Sequence, residues 1–315
     1  MTGSHNRTLE AHCRRERKRV VLIGDRKKPE VARLVDELEP WLREQVNLVG
    51  IDLTGHLDLR RLKADFLIVL GGDGSILSAA RRLGKNIIPV VGVNLGKFGF
   101  LANYSAEELK KSLNEALKGK HEFVPRMMLA CVVLRKGKNP ERFRGSALND
   151  VVISRGSISR MIYLKLSVAG KELTVFGGDG LIIATPVGST AHSLAAGGPI
   201  LHPMLKAFLI TPICAHTLTM RPLVVPTQHE ITVEPVPTPS VRDGAGASAP
   251  GQTSSRQEVV LTIDGQVFMY LHPEDRVVIN AEPHMFHLIE PSGHAFYDTL
   301  REKLLWGGQV KRRTE

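Results

Sequence analysis

The chain has 315 residues, of which 43% are hydrophobic and 23% are charged, and its formal net charge at pH 7 is +10. This composition is typical of a globular protein with one large or two medium domains. Three widely spaced cysteines without a C-x-x-C pair argue against a disulfide framework and against a zinc site. No apolar run approaches the ~20 residues that span a bilayer, and the amino terminus lacks a signal segment. We therefore expect a cytoplasmic protein without a membrane partner.

Much of the positive charge lies at the two ends of the chain. Residues 1–19 are rich in arginine and lysine and are predicted to form a basic disordered tail, and Lys311–Arg313 nearly end the sequence. Such charge attracts polyanions in general. Because no aromatic RNA-binding motif, helix-turn-helix or zinc finger accompanies it, we expect no nucleic-acid partner.

The first 120 residues alternate between apolar runs and segments with helical spacing. Strands are predicted at 20–24, 46–53, 66–70 and 86–93, and helices at 29–44, 76–83 and 105–118. This alternation is typical of a parallel, doubly wound α/β sheet. We assign residues 20–120, together with 294–315, to this α/β domain.

From residue 121 to 293 the pattern changes to short β-branched or alternating runs. Strands are predicted at 128–134, 151–154, 163–168, 181–185, 231–233, 259–263 and 276–280. These runs indicate a second domain that is rich in β-strands. The segment 235–257 consists mostly of Pro, Gly, Ser and Ala and is predicted to be a flexible excursion. Residues 294–306 have helical spacing, and we expect this helix to return to the first domain.

The first stretch with chemical content is Gly71-Gly72-Asp73-Gly74-Ser75, where a buried strand hands over to a helix. Glycines permit close backbone approach, and a helix N-terminus offers free N–H groups and partial positive charge, which suits a phosphate. An Asp among these amides adds a proton acceptor. The alternative is a tight turn in which Asp73 or Ser75 caps the helix, and the five residues do not decide between the two.

Two further stretches carry polar groups in unusual surroundings. Asn149 and Asp150 interrupt an apolar run, and an amide beside a carboxylate can bind a vicinal diol such as a ribose, although an Asn-Asp turn is the simpler interpretation. The segment 176–200 begins with a second Gly-Gly-Asp-Gly and continues in small and hydroxyl residues. With so little bulk it favours a ligand site over a core. We treat its repeat of the Gly-Gly-Asp-Gly motif as coincidence.

Other common devices are missing from the sequence. There is no Walker P-loop, no G-x-G-x-x-G fingerprint and no G-x-S-x-G elbow, and the histidines lack metal-ligand spacing, so no metal site is predicted. Asp264-Gly265 follows an apolar strand and reads most simply as a hairpin turn.

In this order, the stretches resemble the NAD kinase family over residues 20–306. The matching pieces are GGDGS at 71–75, GVNLGKFGFL at 92–101, LND at 148–150, GDGLIIATPVGSTAHSLAAGGPI at 178–200, TPICAHTLTMRPLVVP at 211–226, TIDGQ at 262–266 and LREKLLWG at 300–307. The first motif also occurs in lipid and sphingoid kinases, whereas the piece at 178–200 is specific. The resemblance implies an α/β domain and a β-rich domain with the active site between them, and a homodimer or homotetramer.

The resemblance also implies roles for individual residues. Asp73 would orient or deprotonate the 2'-hydroxyl of the adenosine ribose of NAD, and the donor would be ATP with Mg²⁺, or polyphosphate. Its phosphates would lie beside Gly71, Gly72, Gly74 and Ser75. The implied NAD-binding residues are Asp73, Phe98, Asn149, Asp150, Asp179, Ser189, Thr190, Ala191, His192 and Ser193, with Asp179 at the nicotinamide end.

The sequence departs from the family pattern in three places. Position 150 is Asp where Glu is usual, position 192 is His where Tyr is common, and the excursion at 235–257 is longer than expected. We expect both replacements to be accommodated. The alternatives are a lipid or sphingoid kinase, which should lack the GSTAHS segment, and a module that binds NAD without phosphorylating it.

Overall fold

The computed structural model describes residues 17–95, 99–102, 104–117, 122–135, 140–156, 161–217, 219–237, 258–290 and 296–304. Strands and helices alternate in the first part of the chain, as predicted. Its elements are β1 (Arg19–Ile23), α1 (Pro29–Gln45), β2 (Asn47–Asp52), β3 (Phe66–Leu70), α2 (Asp73–Leu83), β4 (Val90–Asn94), β5 (Tyr104–Ser105), α3 (Ala106–Leu117) and β6 (Glu122–Arg126).

Strands dominate the second part of the chain. Its elements are β7 (Leu129–Arg135), β8 (Glu141–Ala147), β9 (Asp150–Arg155), β10 (Ile162–Val168), β11 (Lys171–Gly178), β12 (Gly180–Ala184), α4 (His192–Ala195), β13 (Ala207–Ile213), β14 (Leu223–Pro226), β15 (Ile231–Val236), β16 (Val259–Ile263), β17 (Val267–Leu271), β18 (Asp275–Ala281), β19 (Phe286–Glu290) and α5 (Phe296–Leu304).

The first unit is a sheet in the order β2-β1-β3-β4-β19-β6, with β5 paired to β4. The neighbouring strands β2, β1, β3, β4 and β19 run parallel to one another, and β6 is antiparallel to β19. The apolar side chains of β3 divide between two cores: Leu67 packs with α2, whereas Ile68 packs with α1 and α3. Helices therefore cover both faces of the sheet, which confirms the predicted doubly wound α/β fold.

Two strands of this sheet come from the part of the chain that we assigned to the β-rich domain. β6 and β19 lie within 121–293, yet β19 pairs with β4 at Leu288 and Val90, and β6 pairs with β19 along its length. The first sheet therefore takes in residues 122–126 and 286–290. Sequence spacing did not show this, because β6 and β19 meet across a separation of about 160 residues.

The second unit is made of two six-stranded antiparallel sheets, β11-β10-β15-β18-β7-β8 and β14-β13-β12-β9-β16-β17. Their facing sides share one apolar core. In it, Leu164 of β10 and Val233 of β15 pack with side chains of β9, β12 and β16, namely Ile153, Leu181 and Leu261. This confirms the predicted β-rich domain. The described β8, β11, β13, β14 and β17 were not predicted. Exposed residues interrupt the apolar runs of β8, β11, β14 and β17, whereas β13 is buried from Ala207 to Thr211.

Two predicted boundaries differ from those observed. Arg19, the last residue of the predicted tail, begins β1, and residues 1–16 lie outside the described part of the chain. Pro235 and Val236, which we placed in the excursion, pair with Leu164 and Tyr163 and so belong to β15. Residues 238–257 are not among those described. β15 and β16 lie in different sheets, so this excursion connects the two sheets.

The last described element, α5, contacts both units. The Lys303 ammonium lies 5.9 Å from the centroid of the Phe100 ring, and the Phe296 ring meets His202 edge to face at 5.1 Å. Leu300 is buried. The helix therefore packs back against the first unit, as predicted, at the junction with the second. Within the described ranges, no helix is long and apolar enough to cross a membrane.

Candidate active site

The turn between β3 and α2 is shaped by its first glycine. Gly71 has φ +143°, and a Cβ at this position would lie 2.3 Å from Oγ of Ser75. Gly72 is the N-cap residue of α2, and no side chain caps the helix. The cap interpretation of Asp73 and Ser75 is therefore wrong. The N–H of Ser75 donates to the carbonyl oxygen of Gly72 at 2.9 Å. The N–H groups of Asp73 and Gly74 precede the first hydrogen bond of the helix, so this end is suited to bind an anion.

The Asp73 side chain instead leaves its own helix and binds a loop. Its carboxylate accepts hydrogen bonds from the backbone N–H groups of Phe100 (2.8 Å), Leu101 (3.1 Å) and Ala102 (3.1 Å). Gly99 lies so close that a Cβ there would be 1.7 Å from Oδ1 of Asp73. Three amide donors and a glycine thus fix the orientation of this carboxylate. Phe98, which the resemblance placed at the adenine, lies outside the described residues.

A cavity of about 660 Å³ opens beside the N-terminus of α2. Gly72, Gly74 and Ser75 line one side of it. Ile23, Leu53 and Val69 provide an apolar part, and the charged or polar lining includes Asp25, Arg26, Lys27, Lys28, Thr54, Ser78, Arg82 and Gln266. Four cationic side chains and a helix N-terminus make this cavity suited to a polyphosphate group.

One wall of this cavity is organised by Asp52 at the end of β2. Its carboxylate accepts hydrogen bonds from the N–H groups of Thr54 (3.1 Å), Gly55 (2.8 Å), His56 (3.2 Å) and Leu57 (3.1 Å), and it is ion-paired with Arg82. Burial raises the pKa of this carboxyl, but the hydrogen bonds from Arg82 and the amides outweigh burial, so the pKa lies well below its usual value. The ionised Asp52 holds the 53–57 loop in place.

A second buried carboxylate organises the Leu148–Asp150 turn. Asp264 lies in the β16–β17 turn at φ +50°, followed by Gly265 at φ +62°, as predicted for a hairpin. Its carboxylate accepts hydrogen bonds from the N–H groups of Leu148 (3.2 Å), Asn149 (2.8 Å) and Asp150 (3.3 Å). The polar pair at 149–150 is therefore held by the hairpin, and it is more than a local turn.

The tip of this hairpin also reaches α2. Arg81 donates a hydrogen bond of 2.9 Å to Oδ2 of Asp264 and a second, short one to Oε1 of Gln266. Gln266 in turn donates through Nε2 to the carbonyl oxygen of Gly74 at 2.8 Å. The helix that begins at Asp73 is thereby tied to the turn that carries Asn149 and Asp150.

Asp150 is buried, and no described residue donates a hydrogen bond to its carboxyl group. Burial and the nearby Asp264 charge raise its pKa to about 7. Burial also raises the pKa of Asp264, but the amides of Asn149 and Leu148 and the Arg81 guanidinium oppose that effect. Of the two carboxyls, Asp150 is therefore the one that takes up a proton first. Near neutral pH it is able both to accept and to donate a hydrogen bond.

The small-residue segment packs directly on this turn. The N–H of Thr185 donates to the carbonyl oxygen of Asn149 at 2.8 Å, and a Cβ on Gly188 would lie 2.1 Å from the same oxygen. Phe100, Val187 and Thr190 line a second, small cavity of about 30 Å³. The predicted segment, the Asn149 turn and the loop that holds Asp73 therefore meet in one place.

The comparisons with known proteins agree with this arrangement. Residues 52–121 match the family model of the ATP-NAD kinase N-terminal domain, and residues 148–246 match that of the C-terminal domain. The NAD kinase of Geobacter sulfurreducens is 38% identical over 300 residues, which cover 92% of this chain and 99% of the relative. That of Syntrophobacter fumaroxidans is 39% identical over 91% of this chain and 98% of the relative. This chain belongs to the NAD kinase family.

Two solved structures share the fold of this chain. Yeast NADH kinase complexed with NADH matches with a TM-score of 0.79 and 22% identity, over 96% of this chain and 91% of that chain. The Archaeoglobus fulgidus NAD kinase in complex with ATP matches with a TM-score of 0.67 and 24% identity, over 91% and 98%.

The hydroxyls of the GSTAHS segment have different surroundings. Ser189 is buried, donates to the carbonyl oxygen of Pro186 (2.5 Å) and accepts from the N–H of Leu201 (2.9 Å), and Ser193 is buried and bonded to Thr211 (2.7 Å). Both therefore use their hydroxyls within the protein. Thr190, Ala191 and His192 are partly or fully exposed.

The second Gly-Gly-Asp-Gly has a different structure from the first. It joins β11 to β12, which lie in two different antiparallel sheets, and Asp179 accepts a hydrogen bond of 2.8 Å from Nε of Arg155. No helix begins there, so it has no helix N-terminus to offer a phosphate. The two copies differ in structure, in agreement with the interpretation of the repeat as coincidence.

Asp52, Arg81 and the contacts of Asp264 were missed by reasoning from the sequence. The TIDGQ piece was recognised, but only as a turn. An acidic residue at the end of an apolar strand is a weak signal, and the partner of Asp264 lies 183 residues away.

Proposed function

We propose that this protein is an NAD kinase that transfers the terminal phosphoryl group of ATP, or of polyphosphate, to the 2'-hydroxyl of the adenosine ribose of NAD, forming NADP. The observation that carries the proposal is the position of Asp73. Its neighbours Gly72 and Gly74 line the large basic cavity, whereas its carboxylate is turned to the loop of Phe100, which borders the small-residue segment. Asp73 thus stands between a polyphosphate site and an acceptor site.

The donor would occupy the large cavity. Its phosphates would lie against Gly71, Gly72, Gly74 and Ser75 at the N-terminus of α2, near the cationic side chains of the cavity. In the described part of the chain, no group of three or more His, Cys, Asp or Glu residues is placed to hold a metal ion. Mg²⁺ would therefore enter as part of the MgATP substrate, held by the phosphates, in the manner usual for this ion.

NAD would bind on the other side of Asp73. Asn149 and Asp150 would hold its hydroxyls, and Thr190, Ala191 and His192 would border the dinucleotide, with Ser189 and Ser193 supporting that segment from inside. In this proposal Asp179 contacts the nicotinamide end of NAD, and Phe98 borders the adenine. His192, which replaces the common Tyr, is exposed and begins α4, so the smaller ring meets no obstruction among the described residues.

The chemistry requires positioning more than covalent catalysis. The 2'-oxygen attacks the terminal phosphorus of the donor, the bond from that phosphorus to the bridging oxygen breaks, and ADP leaves, or the shortened polyphosphate where that is the donor. Asp73 orients the hydroxyl and accepts its proton. The helix N-terminus and the cationic side chains stabilise the charge on the transferring phosphoryl group.

The assay for this proposal mixes the purified protein with NAD or NADH, Mg²⁺, and ATP or polyphosphate, and measures the phosphorylated dinucleotide. Formation of NADP that depends on donor and protein supports the proposal. Binding of NAD without NADP from either donor would favour the sensing module, and phosphate transfer to a diacylglycerol or sphingoid base alone would favour the lipid kinase. A homodimer or homotetramer and a cytoplasmic location are further parts of the proposal, the former testable by light scattering.

A further inference from the structure

The hairpin turn at Asp264 joins elements from both units of the protein. The Asp264 side chain is fully buried, and that of Arg81 is 15% exposed. Three consecutive N–H groups, those of residues 148–150, and one guanidinium group donate to this single carboxylate. The hydrogen bond from Arg81 crosses from the first unit to the second.

The two groups that this carboxylate joins belong to different halves of the proposed site. Arg81 lies two helical turns after Asp73 on the same helix, and Leu148 packs in the core that contains Ile76 and Leu77 of that helix. Gln266 adds a link to Gly74 in the first turn of α2. A movement of the hairpin would therefore move the Asn149–Asp150 turn relative to Asp73.

We propose that Asp264 and Arg81 are a positioning pair that holds the Asn149–Asp150 turn in register with the helix of Asp73, so that the ribose of NAD and the proton acceptor are aligned. Neither residue needs to touch substrate in this role. The inference rests on the proposed function for its kinetic consequences, whereas the alignment itself is a property of the folded chain.

The pair also affects the charge of Asp150. Among the described residues, the charged groups that act on Asp150 are Asp264, directly, and Arg81, through its contact with Asp264. Removing the Asp264 charge removes a repulsion that opposes ionisation of Asp150, and it leaves the Arg81 charge unbalanced nearby. Both changes favour the ionised form of Asp150, so its titration moves to lower pH.

The test compares Asp264→Asn with a matched control, Asp275→Asn. Asp275 is also a fully buried aspartate, it receives two hydrogen bonds from Arg135 (2.7 and 2.9 Å), and it accepts from the N–H of His272. It lies in the other sheet of the second unit, outside both cavities. The two variants therefore lose similar interactions, and only Asp264→Asn disturbs the proposed alignment.

We expect Asp264→Asn to lower kcat/KM for NAD by ~100-fold, the scale of a misplaced reacting group, and Asp275→Asn to change it less than ~3-fold. The titration of the Asp150 carboxyl should move to lower pH by ~0.5 unit or more in Asp264→Asn only. Arg81→Lys keeps the charge without the planar guanidinium group. Its kcat/KM for NAD should lie between those of wild type and Arg81→Gln.

Thermal unfolding of each variant shows whether it folds, and carbon-13 NMR of the Asp150 carboxyl follows the titration without any turnover. If both Asp variants have equal kinetics and Asp150 titrates as in wild type, the positioning role is overturned. If wild type makes no NADP but Asp264→Asn still shifts the Asp150 titration, the proposed function fails, whereas the contact between Asp264 and the Asn149–Asp150 turn holds. If Asp264→Asn does not fold, the Arg81 variants test the positioning role through the same two measurements, kcat/KM for NAD and the Asp150 titration.

Discussion

The backbone N–H of Phe100 donates a hydrogen bond of 2.8 Å to Oδ2 of Asp73, 27 residues earlier in the chain. Asp73 is the first residue of α2, where a carboxylate ordinarily serves the helix itself. Here the Asp73 carboxylate instead accepts hydrogen bonds from a loop that follows β4. This contact fixes the direction in which the carboxylate faces, and the first two of the following predictions depend on it.

Asp73→Asn should keep the fold and NAD binding but lower kcat by ~100-fold or more, because the amide cannot accept the proton of the hydroxyl. The measurement is steady-state NADP formation together with NAD affinity by calorimetry. Asp58→Asn is the control, since Asp58 is an exposed aspartate that also accepts a backbone hydrogen bond, from Arg60 at 3.2 Å. An unchanged kcat in Asp73→Asn would remove Asp73 from the mechanism.

Gly99→Ala should lower kcat without a new charge or a lost donor. Its Cβ would lie 1.7 Å from Oδ1 and 2.3 Å from Cγ of Asp73, so the carboxylate must move. A displacement of about 1 Å is expected to cost ~100-fold in rate. In Gly50→Ala the nearest atoms are at 3.8 and 3.9 Å, so this control should retain full activity. Equal kcat for both alanine variants would show that the placement of Asp73 is not critical.

Asp52→Asn should weaken donor binding more than NAD binding, because Asp52 holds the 53–57 loop and Arg82 at the large cavity. We expect KM for ATP to rise several-fold while KM for NAD stays within ~2-fold. Initial rates with each substrate varied in turn measure this separation. A matched rise in both KM values would place the effect of Asp52 outside the donor site.

The same substitution should show a dependence of stability on pH. The folded pKa of Asp52 lies below its usual value, so its ionised form contributes stability that is present above pH ~4 and is lost as the pH falls further. Asp52→Asn should lower the free energy of unfolding by about 2 kcal/mol at pH 7 and by less at pH 3. Urea unfolding at the two pH values measures the difference, and an equal loss at both would contradict the assignment.

Asp150→Asn should have the opposite dependence. In the folded chain the pKa of Asp150 is raised to about 7, above an unfolded value near ~4, so the folded state binds a proton that the unfolded state releases between these values. Wild type therefore loses stability across this range as pH rises, and the variant does not. The free energy of unfolding of the variant, relative to that of wild type, should rise by about 1 kcal/mol or more between pH 5 and pH 8. A constant difference in urea unfolding would show that Asp150 is already ionised.

The sequence predicted the elements whose pattern is local. Ile76, Leu77 and Leu83 mark the buried face of α2 by their spacing, and Phe66–Leu70 marks a buried strand by its unbroken apolar run. The β-rich character of the second unit followed from its alternating runs in the same way. Boundaries and pairings such as that of β19 with β4 did not follow, because a strand carries little information about its distant partner.

The sequence by itself determined which residue types stand in the candidate site: a carboxylate in a glycine turn, an amide beside a carboxylate, and a segment without bulk. Only the tertiary structure decided how they act together. Asp73 is oriented by amides of a later loop. Asp150 is buried next to Asp264, and its own burial and the Asp264 charge raise its pKa. Hydrogen bonds and charges act over a few ångströms of space. Folding creates that proximity between residues that are 27 positions apart for Asp73 and Phe100 and 114 apart for Asp150 and Asp264.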